Sequence, residues 1–320
     1  MRGLTTCMGE VLIDFLPIEE GGRTVGFTMH PGGSPFNVAV GLTRLGRPTA
    51  FTSKVSSDLF GRYLGDYAES EGIDLRFAVP SEAQSTLAFV AMESGEPAYA
   101  FYNEGMAGTL LTIEEIPDAL FSETAVLHFG SISLLSGTTP GAVLAVVERL
   151  KGRVLLSFDP NLRPGLVTDE RAYRSLLDRL IGLSDVLKLS ASDLQWLMPG
   201  SSVEKAAVDL ITRGPAMVAI TQGGHGVLAL RRNGDSWEIP AFNIKVADTV
   251  GAGDAFSSGL LAGLGEREIV SREALEAANS ADIEAALRFA AAVSAMTCTR
   301  AGANPPSREE VARFISANTG

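Results

Sequence analysis

The segment Asp248-Thr249-Val250-Gly251-Ala252-Gly253-Asp254 combines small residues with two carboxylates, and an apolar helical stretch, Ala255–Leu264, follows it directly. Small residues at a helix start let the backbone approach a ligand closely. The first-turn N–H groups have no intrahelical partner. With the helix dipole they form an anion site that needs no lysine. Asp254 stands at the edge of that site. A carboxylate there repels phosphate, but it is well placed to accept a proton from a hydroxyl attacking a bound phosphoryl group. The competing reading is that Asp is a common first-turn residue and that Gly-Ala-Gly only allows close helix packing. Gly32-Gly33 before Ser34 repeats the device near the N-terminus. There a tight strand–helix turn with a Ser cap explains it equally well.

Other chemistries are missing from the chain. None of its five lysines (Lys54, Lys151, Lys188, Lys205, Lys245) follows a glycine, which removes a Walker-type phosphate loop. There is no G-x-G-x-x-G, no G-x-S-x-G and no H-E-x-x-H, which counts against dinucleotide, serine-hydrolase and zinc-protease sites. His30, His128 and His225 show no ligand spacing and read as structural. Cys7 and Cys298 exclude a disulfide framework and read as buried free thiols. The remaining chemistry runs on a carboxylate.

These groups must be positioned by the elements around them. Strand-like runs at Thr6–Phe15, Thr49–Val55, Ala125–Phe129, Val154–Phe158, Val186–Leu189 and Met217–Thr221 alternate with helical patterns at Ser34–Leu45, Phe60–Glu71, Gly141–Leu150, Asp169–Ile181 and Val203–Arg213. That alternation predicts α/β architecture with a mostly parallel sheet. The last third turns helical, at Ala252–Gly263, Arg272–Ala278, Ile283–Thr297 and Arg308–Ser316. Two stretches break the rhythm. Thr86–Met92 and Ala98–Asn103 flank a turn at Glu93-Ser94-Gly95-Glu96-Pro97, and Val11–Leu16 and Gly26–His30 flank a polar connection. They predict a small β-sheet beside the main body, able to cover a site or to pair with another chain.

The 320 residues carry 26 Lys+Arg and 38 Asp+Glu, a formal net charge of −12. That balance argues against nucleic acid and against an anionic membrane surface as partners. At 46% hydrophobic and 20% charged the composition is that of an ordinary globular protein. No run approaches the ~18 apolar residues of a membrane span. With no signal-peptide pattern, the expected location is the cytoplasm.

At these residues the chain resembles the ribokinase-like (PfkB) family of carbohydrate kinases. One family signature is Gly32-Gly33-Ser34-Pro35-Phe36-Asn37-Val38-Ala39 running on to Gly46; the other is Asp248–Asp254 with its helix. Further pieces are Gly9-Glu10 to Asp14, Asp159-Pro160-Asn161-Leu162-Arg163-Pro164, Thr221-Gln222-Gly223-Gly224 and Thr297–Pro305. The match covers essentially the whole chain in the family's order, and GEVLIDF and DPNLRP look most like the bacterial fructokinase branch. The resemblance implies one domain over 1–320, a three-layer αβα sandwich with a discontinuous β-lid built from about 11–31 and 86–104. It implies an ATP-dependent kinase of a small sugar, D-fructose going to fructose 6-phosphate, with 2-keto-3-deoxygluconate kinase and ribokinase as alternatives within the family. A catalytically silent relative and a doubly wound dehydrogenase are the alternatives from other classes.

By motif position, Asp254 is the general base and the amides of Gly251, Ala252 and Gly253 form the anion hole. Asp14, Gly32, Gly33 and Asn37 hold sugar hydroxyls; Phe101 and Asn103 on the lid cover the sugar. Arg163, at a carboxyl strand end, contacts the sugar or the transferred phosphate, or else makes a loop salt bridge. The resemblance places Lys188, Ser190, Thr221, Gly223, Gly224, Gly226 and Ala291 around ATP. Ser190 and Asp193 stand where the family often has N-x-x-E, which helps arrange Mg²⁺ through water; the shorter acid is a departure. A monovalent cation, usually K⁺, is implied at the backbone carbonyls of Asp248, Val250, Thr297, Arg300 and Gly302. A homodimer paired through the lid sheets is the implied assembly, although monomers occur.

Overall fold

The computed structural model describes residues 3–93 and 96–318. Ser94 and Gly95, the centre of the expected hairpin turn, lie outside the described residues. The chain opens with β1 (Leu4–Met8), β2 (Leu12–Glu20), β3 (Arg23–Gly32), α1 (Ser34–Arg44), β4 (Thr49–Thr52), β5 (Lys54–Ser56) and α2 (Leu59–Ser70). It continues through β6 (Val79–Ser81), β7 (Thr86–Glu93), β8 (Glu96–Tyr102), α3 (Asp118–Glu123), β9 (Thr124–Gly130), α4 (Thr139–Leu150), β10 (Leu155–Asp159), α5 (Glu170–Leu183) and β11 (Val186–Ser190). The remainder is α6 (Ala191–Leu197), α7 (Val203–Arg213), β12 (Met217–Thr221), β13 (Val227–Arg231), β14 (Ser236–Ile239), α8 (Ala252–Glu266), α9 (Arg272–Ala277), α10 (Ser280–Cys298) and α11 (Arg308–Asn318).

Among the described residues the largest sheet runs in the order β14-β13-β12-β11-β10-β9-β1-β4, parallel from β4 to β12 and antiparallel at β13 and β14. Its strands are apolar on both faces, so successive residues enter different cores. Cys7, Val126, Leu155, Val186 and Met217 join α1, α8 and α10 on one side. Met8, Leu127, Leu156, Leu187 and Val218 join α4, α5 and α7 on the other. A strand buried on both faces needs a helix layer on each, and the result is the expected three-layer sandwich. No helix among the described residues is long and apolar enough to cross a membrane.

The run Thr6–Phe15 is not one strand. The chain leaves the large sheet after Met8, turns at Gly9 and Glu10, and enters a second sheet with order β3-β2-β7-β8. Gly9 has φ +155°, and a Cβ there would lie 2.5 Å from Pro35 Cγ, so the close approach of α1 requires glycine. Asp14 therefore stands within the small sheet, not at the end of the first strand. Thr49–Val55 likewise divides into β4 and β5, the latter pairing with β6. The antiparallel edge formed by β13 and β14 was not anticipated by the alternation pattern.

The direction of strand addition reverses at β1, with β4 on one side and β9 on the other. Open α/β sheets bind ligands at the carboxyl ends of strands at such a reversal. Glu10 follows β1 there, Ser131 follows β9, and the small sheet stands above them.

Candidate active site

Asp254 lies in the first turn of α8 and is 7% exposed. Ser34 Oγ donates to its Oδ1 at 2.6 Å and Asn37 Nδ2 donates to its Oδ2 at 2.8 Å. Ser34 is thus not the cap of α1; Gly33 occupies that position, at φ +107°, and the Ser34 hydroxyl is turned to the carboxylate. A Cβ on Gly33 would lie 2.5 Å from the Glu10 carbonyl oxygen. Burial raises the Asp254 carboxyl above its ordinary range, opposed by the hydrogen bonds from Ser34 and Asn37; Asp159 adds to the rise and Lys188 opposes it.

The start of α8 is built as the spacing suggests. Gly251 caps it in the left-handed region, at φ +72°, and a Cβ there would meet Ala303 Cβ at 2.6 Å. One of the three expected anion-hole donors is otherwise engaged: the Ala252 N–H donates to Thr249 O at 3.2 Å. The site also contains the lysine that the sequence pattern did not require. A Cβ on Gly253 would sit 2.8 Å from Lys188 Nζ, which donates to Asp159 Oδ2 at 2.7 Å. Lys188 is 4% exposed. Burial works against its charge, but Asp159, Asp193 and Asp254 outweigh it and hold the ammonium above its usual range. Asp159 Oδ2 also accepts from Ser257, and its Oδ1 accepts from Asn161 N.

A cavity of about 610 Å³ opens over these groups. Asp14, Gly33, Asn37, Phe101 and Arg163 line it, together with Lys188, Ser190, Asp193 and Asp254. Gly32 is set behind this wall, under Asp14, whose Oδ2 would be 2.2 Å from a Gly32 Cβ. Asn103 does not belong to the wall: β8 ends at Tyr102, and the Asn103 carbonyl accepts from Met106 N in the turn that follows. Asp14 is raised to about 6, chiefly by burial and then by the charge of Asp254, against the pull of Arg163. Among the described residues Arg163 makes no salt bridge; its Nη1 donates to Asn161 O, Asn161 Oδ1 and Leu162 O.

A second cavity of about 540 Å³ adjoins the first, sharing Thr221, Gly223, Thr249 and Gly253. Its walls are largely apolar, with Phe242, Ile244, Val246 and Ala291, and include Gly224, Gly226 and Ala252. Cys298, expected to be buried, is half-buried and lines it. None of the three histidines lines either cavity.

Asp193 serves the fold with both oxygens. Oδ2 accepts from Ser190 N and Ser190 Oγ in a capping box at the start of α6, and Oδ1 accepts from Leu162 N. Among the described residues no group of three or more His, Cys, Asp or Glu is arranged to hold a metal ion. The segments named for a monovalent cation do meet: Asp248 Oδ1 accepts from Val250 N, Asp248 Oδ2 from Gly302 N, and Thr297 O from Arg300 N. Ser34, Glu10 and Asp159 were not singled out by the sequence reading, although all three lie inside its quoted motifs.

Comparisons with known proteins give the family of the whole chain. The model of the pfkB family of carbohydrate kinases matches residues 3–310. A fructokinase of Rhizobium leguminosarum bv. trifolii is 35% identical over 258 residues, 81% of this chain and 78% of its own length. Fructokinase-1 of Zea mays is 35% identical over 98% of both chains. Among solved structures, a fructokinase from Xylella fastidiosa with bound ATP superposes with a TM-score of 0.92 at 31% identity, covering 100% of both chains. A double-mutant fructokinase from Vibrio cholerae, in a form with fructose, ADP and potassium ion bound, gives 0.85 at 27% identity over 98% of both. A buried carboxylate in the first turn of a glycine-started helix, lining a polar cavity that adjoins an apolar one, and a family match running nearly end to end lead to one assignment: the chain belongs to the pfkB family of carbohydrate kinases.

Proposed function

We propose that the protein transfers the γ-phosphoryl group of ATP to a primary hydroxyl of D-fructose, giving fructose 6-phosphate. The observation that carries this reading is the position of Asp254, held by Ser34 and Asn37 in the first cavity next to Gly253, which both cavities share. The sugar occupies the polar cavity, its hydroxyls meeting Asp14, Asn37 and Arg163, with Phe101 of the small sheet as a lid over it. The adenine takes the apolar cavity beside Ala291, and the phosphates run past Thr221 and Gly223 toward Gly253. Asp254 accepts the proton of the attacking hydroxyl. The Gly251 and Gly253 amides and the Lys188 ammonium meet the charge that develops on the transferred group.

A bound Mg²⁺ would supply charge neutralisation of the ATP phosphates. Because both Asp193 oxygens already accept hydrogen bonds, Asp193 would meet such an ion only through water. The carbonyls around Asp248 and Gly302 suit a monovalent cation, and the potassium named with the Vibrio cholerae fructokinase supports that reading.

A 2-keto-3-deoxygluconate kinase would need a cation for the substrate carboxylate. Arg163 Nη1 is instead spent on its own loop, while Glu10, Asp14 and Asp254 crowd the cavity with carboxyl groups. A neutral sugar fits better. The reading includes a homodimer through the face of the lid turned away from the cavity, where Phe27, Met29 and Tyr102 are 43%, 41% and 59% exposed. Sedimentation giving a monomer at all concentrations sets that assembly aside.

The test is ATP turnover over a panel of neutral sugars and keto acids, with Asp254→Asn beside the wild type. Fructose gives the highest kcat/KM, and the variant loses about 10³-fold in kcat. Turnover within tenfold of wild type in Asp254→Asn removes the base assignment, and a higher kcat/KM on a keto acid removes fructose.

A further inference from the structure

Three segments distant in sequence converge behind the catalytic carboxylate. Glu10 is 4% exposed, in the connection between β1 and β2. Its Oε1 accepts from Ser34 N at 3.1 Å and its Oε2 from Ser133 N at 3.1 Å. Ser34, 7% exposed, in turn donates its hydroxyl to Asp254 Oδ1 at 2.6 Å. A buried carboxylate is costly unless its oxygens find donors. Here the donors are main-chain N–H groups from the first turn of α1 and from the segment after β9, with the Ser131 hydroxyl beside them, so Glu10 ties the place of Ser34 to that segment.

Resting on the proposed role of Asp254, we propose that Ser34 is a positioning residue for the catalytic carboxylate, orienting it and stabilising its charged form, and that Glu10 holds Ser34 in place to do so. The hydroxyl has one proton, and in this arrangement it goes to Oδ1; Asn37 directs Oδ2. Each carboxylate oxygen keeps a further acceptor site for the sugar hydroxyl. Gly33 packs closely on the Glu10 backbone, where a Cβ would not fit. The charged groups facing Asp254 from the other elements are Asp14 on β2, Asp159 on β10 and Lys188 on β11. None of them is held through Ser34, so removing its hydroxyl isolates one interaction.

The experiment compares wild type, Ser34→Ala, Ser34→Thr and Glu10→Gln by kcat and kcat/KM against pH at saturating ATP, with thermal melts alongside. A donor to a charged acceptor is worth roughly one pH unit. Its loss in Ser34→Ala leaves the proton on Asp254 to higher pH, so the acid limb of kcat moves up by about that much. Turnover below the limb then falls roughly tenfold, and the alkaline plateau falls less. Ser34→Thr keeps the hydroxyl and restores the limb. Glu10→Gln leaves one of its two N–H donors without an acceptor; it melts earlier and moves the limb in the same direction. A purely structural role for either residue lowers the melting temperature without moving the limb. An unmoved limb in Ser34→Ala, with Asp254→Asn still inactive, overturns this proposal and spares the base assignment. An active Asp254→Asn overturns the base assignment itself.

Discussion

Replacing Asp14 by Asn tests the electrostatic cost of the proposed sugar site. In the free protein, burial and the charge of Asp254 move the Asp14 carboxyl from an ordinary 3.8 to about 6. Between those values the native state keeps a proton that the unfolded chain has released. Wild-type stability therefore falls as pH rises through that window, and the loss is complete above it. A carboxyl moved that far costs the charged native state ~3 kcal/mol. Asn carries no such cost, and removing the Asp14 charge also eases Asp254 in the same sense. The Asp14→Asn variant is therefore expected to equal wild type near pH 4 and to exceed it by ~3 kcal/mol at pH 8, read as the difference in urea midpoints across pH. Its KM for the sugar rises tenfold or more, since a hydrogen bond to a charged group is worth ~1.5–3 kcal/mol. A stability difference that stays constant from pH 4 to pH 8 refutes the reasoning, because it would mean that Asp14 titrates alike in both states.

Gly251→Ala places a Cβ 2.6 Å from Ala303 Cβ at φ +72°. The left-handed conformation costs ~1–2 kcal/mol and the overlap ~1–3 kcal/mol, so melting temperature and kcat both fall; a neutral variant contradicts the tight helix entrance. Lys188→Met leaves Asp159 buried without its cation and destabilises by ~3–5 kcal/mol. Adding Asp159→Asn recovers most of that stability but not the turnover, because Lys188 also faces Gly253. Recovery of turnover in the double variant, measured as ATP turnover, makes the pair structural only.

Much of the chemistry was legible because it is local. Small residues, a helix start and a carboxylate lie within Asp248–Asp254, and contiguous residues share one turn whatever the rest of the chain does. The alternation of apolar runs with amphipathic segments likewise reported the two buried faces of the large sheet. The division of Thr6–Phe15 was not legible, since both halves are apolar and extended; which sheet each joins depends on partners at Thr49, Val126 and Thr86. Asp193 shows the same limit from the other direction. The family resemblance gave it a part in arranging Mg²⁺ through water, while its direct hydrogen bonds, to Ser190 and to Leu162 31 residues away, became visible only in the fold.

By itself the sequence determined the fold class, the family and the identity of the candidate base, since each rests on residue type and short-range spacing. Only the tertiary structure decided what surrounds that base. Ser34 and Asn37 reach it from α1, Asp159 and Lys188 act on it from β10 and β11, and Glu10 reaches it through Ser34. The basicity of a buried carboxylate depends on burial, donors and charges within a few ångströms, and those distances exist only once the chain has folded.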